Sequence, residues 1–346
     1  MAPLHLNVAG CRYRAMLGVG GIGTGVFFAL AGNHTLGREE SRSGRFLDRR
    51  DYCKLHIIAH YVQTLLGPGF ATLPIGKVGD DEAGRRLVEE MKAAGMDTRY
   101  VELRPGEQTL ASFCLIYPDG SGGNLTTDDS ACDKVDAACV SRAEPEFARF
   151  AGHGIALAAP EVPLAARRKA LELGAAYRLL RVASFVSAEM STAVETGLLG
   201  ATDLLGINLD EAAALASVSA GGRAPVEVVE AAVERLRGLN PAMLVAITAG
   251  QMGSWSWDGT SLAHLPAWPV EVVNTAGAGD AHLAGIIAGL AAGLAMAQAH
   301  ELGALVAALS VTSPHTIAPE VERGSLRTLA DRLHAPLSEA VRDLLQ

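Results

Sequence analysis

The residues best placed to do chemistry lie in the run VEVVNTAGAGDAHLAGIIAGLAAGL, 270–294. Its alternating apolar start predicts a strand ending at Val273, then N-T-A-G-A-G-D, then an apolar helix over 281–297. Gly277 and Gly279 let the chain turn tightly with its N–H groups facing outward. Those groups fall at a helix N-terminus, where unpaired donors and the helix dipole concentrate positive potential. The result is an anion hole suited to a phosphate. Asp280 follows in the first helical turn. A carboxylate beside bound phosphate is electrostatically awkward unless it has a task, and the obvious task is to take a proton from a hydroxyl attacking phosphorus. An acid in a first helical turn is also ordinary by itself. The preceding strand, the N-T-A-G lead and the small-residue helix favour the chemical reading.

A second glycine cluster, GVGGIGTG at 18–25, matches G-x-G-x-x-G through Gly18, Gly20 and Gly23. A dinucleotide fingerprint needs a following helix and an acid about 20 residues on, within one βαβ unit. The stretch TGVFFALAGNHT is too short and too glycine-bounded for that helix, and Glu39 and Glu40 fall in a polar flap. This counts against a nicotinamide oxidoreductase. Residues 15–31 read instead as strand, turn and strand, with glycines letting the chain pass close to a ligand. No G-x-x-x-x-G-K-[ST] occurs, so a Walker-type loop is excluded.

Other elements must hold these residues in place. The polar segment 32–50 predicts a projecting hairpin or flap, 52–66 a helix and 71–79 a strand. An amphipathic helix follows at 80–95, with Asp80 as N-cap and Gly95 as C-cap. Strand-like runs at 100–103 and 109–127 enclose a PDGSGG turn. From 150 onward strands (154–159, 178–186, 204–208, 242–250) alternate with helices (163–176, 189–199, one from 209, 225–237). SWSWDG and SLAHLPA form a hairpin. The alternation implies an α/β fold with a mostly parallel sheet covered on both faces. Residues 1–346 read as a single domain, with lid segments near 32–50 and 98–127.

Composition sets the class. Of 346 residues, 49% are hydrophobic and 19% charged, enough for a large core. A net charge of −9 repels phosphate backbones and anionic membranes, so neither nucleic acid nor a membrane is an expected partner. Cys11, Cys53, Cys114, Cys132 and Cys139 are odd in number and widely spaced, without C-x-x-C. That argues against a disulfide framework or zinc ribbon and fits a reducing cytoplasm. No signal peptide is read, and the longest apolar run, 283–297, is short for a membrane span.

VVNTAGAGDAHLAGIIAGL resembles the C-terminal signature of the PfkB/ribokinase family of carbohydrate kinases, usually D-T-x-G-A-G-D-x-F-x-A-G. PIGKVGDDEAGRRLVEEMKAAGMDTRYVELRPGEQTLASFCLIYPDG (74–120) resembles that family's N-terminal segment. INLDEAAAL (207–215) resembles its N-x-x-E motif, and ITAGQMGSWSWDG (247–259) its T-x-G-x-x-G strand and turn. These occur in family order and cover most of 70–320. The resemblance implies a ribokinase-like three-layer α/β/α sandwich with a small β lid. It implies ATP and Mg²⁺ as co-substrates, and γ-phosphate transfer to a hydroxyl of a sugar, polyol or nucleoside. By position, Asp280 is then the general base and the amides of Ala276, Gly277, Ala278 and Gly279 form the anion hole. Asn208 and Glu211 help to hold magnesium through water, and Thr248, Gly250, Gly253, Asn274 and Thr275 face the nucleotide. Glu211 is equally an ordinary first-turn acid. Lid strands of this family pair between subunits, which implies a homodimer.

The chain also departs from that pattern. The acid usual just after the first strand is absent, leaving Gly23 and Thr24 as candidate substrate contacts together with Asn124. The family's G-G-x-x-x-N is missing at 53–58, and Asn274 replaces the usual Asp. Arg38, Glu40 and Arg42 are candidate lid contacts or a solvated flap, and His282 reads as a packing histidine. These departures motivate an alternative, a nucleotide-binding protein with little or no kinase activity.

Overall fold

β1 (Ala15–Val19) is buried at every position. Such continuous burial is what a strand covered on both faces requires. The computed structural model describes residues 2–6, 10–119, 122–219 and 222–346; part of the PDGSGG turn therefore lies outside the described residues. Nine strands form one sheet in the order β13-β12-β11-β10-β9-β8-β1-β4-β5. These are β4 (Ala71–Gly79), β5 (Tyr100–Arg104), β8 (Gly154–Ala158), β9 (Leu180–Ala183), β10 (Leu204–Asn208), β11 (Leu244–Thr248), β12 (Ser254–Trp257) and β13 (Leu262–Leu265). Neighbours from β11 through β5 are parallel, and β12 and β13 are antiparallel additions at one edge.

Side-chain alternation splits the core into two layers. Met16, Leu157 and Leu204 face the helices Lys54–Leu66, Ala278–Ala291 and Met296–Ser310. Leu17, Ala158 and Leu205 face the helices Leu164–Ala176 and Pro225–Leu239. This is the expected three-layer α/β/α sandwich. Among the described residues, no helix is long and apolar enough to cross a membrane.

β2 (Gly23–Leu30), β3 (Gly44–Tyr52), β6 (Leu110–Ile116) and β7 (Gly122–Thr126) make the smaller sheet, ordered β3-β2-β6-β7. Of the 98–127 segment only β6 and β7 join this lid, because β5 extends the large sheet parallel to β4. The pleat gives the lid two unlike faces. Gly25, Asp51 and Ser112 share one face. Val26, Phe28, Phe46, Phe113 and Leu125 share the other, where Phe46 and Leu125 remain 65% and 64% exposed.

Three local expectations need correction. Residues 270–273 form no strand: the Val273 and Asn274 N–H groups both donate to the Val311 carbonyl, and the sheet already ends at β13. Apolar alternation without a neighbouring ladder does not make a strand. The helix expected over 281–297 begins at Ala278 and ends at Ala291, and Gly293 at φ 95° turns the chain into a second helix from Met296. Asp81, not Asp80, caps the helix Glu82–Ala93, its carboxylate accepting from Gly84 N–H at 2.7 Å.

Candidate active site

The functional residues converge at the C-terminal ends of the parallel strands, where open α/β sheets bind ligands. The reason is directional: helices that follow those strands point their N-termini at this edge. A cavity of about 650 Å³ lies there. Asn208, Glu211, Thr248, Gly250, Gly253, Thr275, Gly277, Ala278, Gly279 and Asp280 all line it. Residues from three separate sequence motifs thus share one wall. Ala267, Trp268, Val270 and Val311 make the far end apolar, the kind of surface on which a planar base packs.

Gly277 sits at φ 79° as the N-cap of the helix Ala278–Ala291. The turn presents the N–H groups of Gly277 and Gly279 with no partner among the described residues. Ala276 N–H instead donates to Asn274 Oδ1 at 3.1 Å, and Ala278 N–H to the Thr275 carbonyl at 3.2 Å. Two of the four amides read as an anion hole therefore shape the turn, while the two glycine amides stay unpartnered among the described residues. Asn274 also donates through Nδ2 to the Pro314 carbonyl, so its side chain ties two loops together. A Cβ on Gly277 would lie 3.0 Å from the Thr316 carbonyl oxygen. Gly277→Ala is expected to cost about 1–2 kcal/mol of stability through its left-handed backbone, read as a lower midpoint in urea unfolding.

Asp280 is buried beside this turn, and Lys54 Nζ stands 3.5 Å from its Oδ1. Lys54 opens the helix Lys54–Leu66 directly after β3 and Cys53. The loop at 313–318 fixes that junction. Thr316 N–H donates to the Arg50 carbonyl, Thr316 Oγ1 accepts from Tyr52 N–H, and the Tyr61 hydroxyl bridges the Thr316 carbonyl and Ala318 N–H. Burial raises the carboxyl pKa of Asp280, Glu211 and Glu161, and in each the Lys54 ammonium is the largest opposing influence. Asp280 in turn is the main cause that raises the Lys54 pKa. One ammonium thus serves three carboxylates, Asp280 and Glu211 buried and Glu161 half-buried.

Asn208 and Glu211 form a reciprocal cap: Asn208 Oδ1 accepts from Glu211 N–H and Glu211 Oε2 from Asn208 N–H, both at 2.8 Å. The ordinary helix-capping role is therefore filled, while Glu211 Oε1 makes no hydrogen bond among the described residues. Gly253, at φ 87°, packs against the Leu265 carbonyl where no side chain fits.

The profile of the pfkB family of carbohydrate kinases matches residues 58–323. The chain belongs to that family. It is 26% identical over 237 residues to fructoselysine 6-kinase of Shigella flexneri, a match covering 68% of this chain and 80% of that protein. It is 47% identical over 55 residues to the uncharacterised sugar kinase YegV of Escherichia coli K12, covering 16% of this chain and 17% of that one. The solved ribokinase of Cryptococcus neoformans var. grubii serotype A, crystallised with ADP, superposes with a TM-score of 0.72 at 19% identity over 93% of this chain and 100% of that chain. The fold is ribokinase-like.

Seen as a pfkB kinase, the chain uses its first glycines for packing. A Cβ at Gly20 would fall 2.7 Å from Ala159 Cβ, and one at Gly21 would fall 2.4 Å from Glu161 Cβ. Gly23 is closed in by the Leu110 carbonyl and Cys53 Sγ. Thr24 Oγ1 donates to the Asp51 carbonyl and accepts from Arg86 Nη2 at 3.1 Å, which holds the lid to the helix Glu82–Ala93. Asn124 stays on the lid beside Cys114 Sγ. Glu40 pairs with Arg42 and His34 within the flap, so these side chains are engaged with one another. His282 is buried edge-on against His300, its pKa pushed down to about 3 by burial, as a packing histidine should be.

Sequence reading missed Lys54 and Glu161. Lys54 stands inside the segment marked only for lacking G-G-x-x-x-N. Glu161 lies just beyond β8, between Pro160 and Pro163, at φ 71°. An acid bracketed by prolines at the end of a parallel strand was a readable signal. Its left-handed backbone is a costly conformation for a non-glycine residue, and its Oε2 accepts from Lys54 N–H at 3.3 Å.

Proposed function

We propose that this pfkB kinase transfers the γ-phosphate of ATP to a hydroxyl of a sugar or sugar-like acceptor, with Asp280 as general base. The observation that carries the proposal is the pairing of a buried carboxylate with unpartnered glycine amides at one helix N-terminus. The ADP bound to the fungal ribokinase supports a nucleotide in a fold of this kind. In this scheme the apolar end of the cavity takes the base, the Gly277 and Gly279 amides donate to phosphate oxygens, and Lys54 offsets their charge. Asp280 accepts the proton of the attacking hydroxyl.

The donor set fits magnesium. Three carboxylates, two of them buried, share one ammonium, and hard oxygen donors suit a small divalent cation. No cluster of three or more His, Cys, Asp or Glu ligands occurs among the described residues. Asn208 and Glu211 would accordingly hold Mg²⁺ through water, as an ion that sheds its waters reluctantly prefers. Bound there, the ion supplies charge neutralisation for the transferring phosphoryl group.

The test is an ATP-consumption screen over sugars, sugar acids, sugar phosphates and nucleosides, with and without Mg²⁺. Magnesium-dependent turnover with one acceptor class supports the proposal. Nucleotide binding without transfer to any acceptor would replace it with a nucleotide-binding protein of little activity.

The exposed aromatic lid face further supports a homodimer through the lids. Phe28, Phe46 and Phe113 cluster there with ring centroids 5.1 to 6.1 Å apart, next to Leu125. Exposed apolar patches of this kind mark protein interfaces. Light scattering should give a dimer for the wild type and a monomer for Phe46→Asp/Leu125→Lys; a wild-type monomer at high micromolar concentration would rule the interface out.

A further inference from the structure

Asp51 is a buried carboxylate that nothing in the described structure neutralises. It is 9% exposed. Ser112 Oγ–H donates to its Oδ2 at 2.7 Å and Cys114 Sγ–H to the same oxygen at 3.4 Å. Among the described residues, Oδ1 has no hydrogen-bond partner and no lysine or arginine forms an ion pair with the group. Oδ1 is not sealed from solvent, so this unengaged oxygen of a largely buried carboxylate is open to a donor from a ligand.

Its position shows where that ligand must lie. Asp51 faces Gly25 across the β2–β3 ladder, and Ser112 faces Gly25 from β6. A Cβ at Gly25 would fall 2.4 Å from Asp51 Oδ2 and 2.1 Å from Ser112 Oγ. The carboxylate thus fills the space that a side chain on β2 would take, in the segment after β1 where this chain carries glycine and threonine instead of an acid. Asp51 is separated from Lys54, the partner of Asp280, by only Tyr52 and Cys53. Its charge reaches the site: burial is the main cause that raises the Asp280 pKa, and Asp51 adds to it. The group therefore sits on the lid face opposite the exposed aromatic cluster, near enough for its charge to act on Asp280 at the start of the helix Ala278–Ala291.

We infer that Asp51 accepts hydrogen bonds from hydroxyls of the acceptor other than the one phosphorylated, so that the lid itself selects a polyol. This rests on the kinase activity proposed above. A carboxylate oxygen accepts, and Oδ1 is open to one hydroxyl while Oδ2 is already engaged. The inference gives the lid a task in specificity.

The experiment compares wild type with Asp51→Asn, which keeps the shape and removes the charge, on the acceptor that a panel of D-fructose, D-ribose and other polyols identifies. Asp51→Ser serves as a second neutral variant should Asn disturb folding, and thermal melting with ATP calorimetry confirms that each variant is intact. The acceptor KM should rise about 10- to 100-fold, as for loss of a hydrogen bond to a charged group, with the ATP KM unchanged and kcat within a few fold. Among monodeoxy analogues, one should lose a similar factor with wild type and lose nothing further with Asp51→Asn. An acceptor KM within twofold of wild type in both variants, or a deoxy penalty that persists in full, overturns the inference and leaves the kinase reading standing. A wild type that phosphorylates only acceptors without free neighbouring hydroxyls overturns the inference alone, and one that phosphorylates nothing across sugars, sugar acids, sugar phosphates and nucleosides overturns both.

Discussion

Asp280→Asn should lower kcat by about 10²- to 10⁴-fold, the usual worth of a positioned general base. The asparagine has the same shape and still suits the first turn of the helix Ala278–Ala291, so the glycine amides beside it keep their geometry. Phosphoryl transfer depends on positioning and charge more than on covalent groups, and positioning survives this substitution. Nucleotide affinity should accordingly stay within a few fold, measured by calorimetry on the same preparation. Folding should survive too. Burial disfavours the charged form of Asp280, so a neutral side chain relieves that cost while Lys54 keeps Glu211 and Glu161 as neighbours. A variant that retains more than a tenth of wild-type kcat would show that Asp280 is not the base.

The second large effect is expected at Lys54. Lys54→Met keeps the stem and deletes the ammonium, and kcat/KM should fall about 10²- to 10³-fold, as for loss of one transition-state donor. The pH profile should move as well, and its sign follows from the site. In the wild type, burial raises the Asp280 pKa and Lys54 opposes that rise. Without the ammonium, Asp280 stays protonated to higher pH, and so do Glu211 and Glu161. A base must be ionised to accept a proton. The acidic limb of kcat should therefore shift upward, with activity lost sooner as pH falls and partly regained as pH rises. An acidic limb that stays in place, or moves down, would separate Lys54 from the Asp280 ionisation.

The legible parts of the chain share one property: their signal is local. β4 occupies 71–79 as expected, because an apolar run closed by glycine and buried on both faces has no other stable use. Asp280, Gly277 and Gly279 declared a glycine turn opening a helix through neighbours only three residues apart. Reading failed where apparently local evidence needed a distant partner. Val270, Val272 and Val273 alternate like a strand, but no strand lies beside them. The run around Gly293 is apolar throughout, and only packing of the two helices against each other required a break there. Asp80 and Asp81 are equivalent as text; the choice fell to Asp81 because its Oδ2 also accepts from Thr109 N–H, 28 residues away.

The sequence by itself determined the alternation of strands and helices, the glycine turn and the carboxylate inside it, since each is set by backbone preferences over a few residues. Only the tertiary structure decided which other charges meet that carboxylate. Lys54 arrives from the end of a lid strand, Glu161 from beyond β8 and Asp51 from β3. Their surroundings, and with them their protonation and chemistry, depend on distances through space that spacing along the chain does not encode.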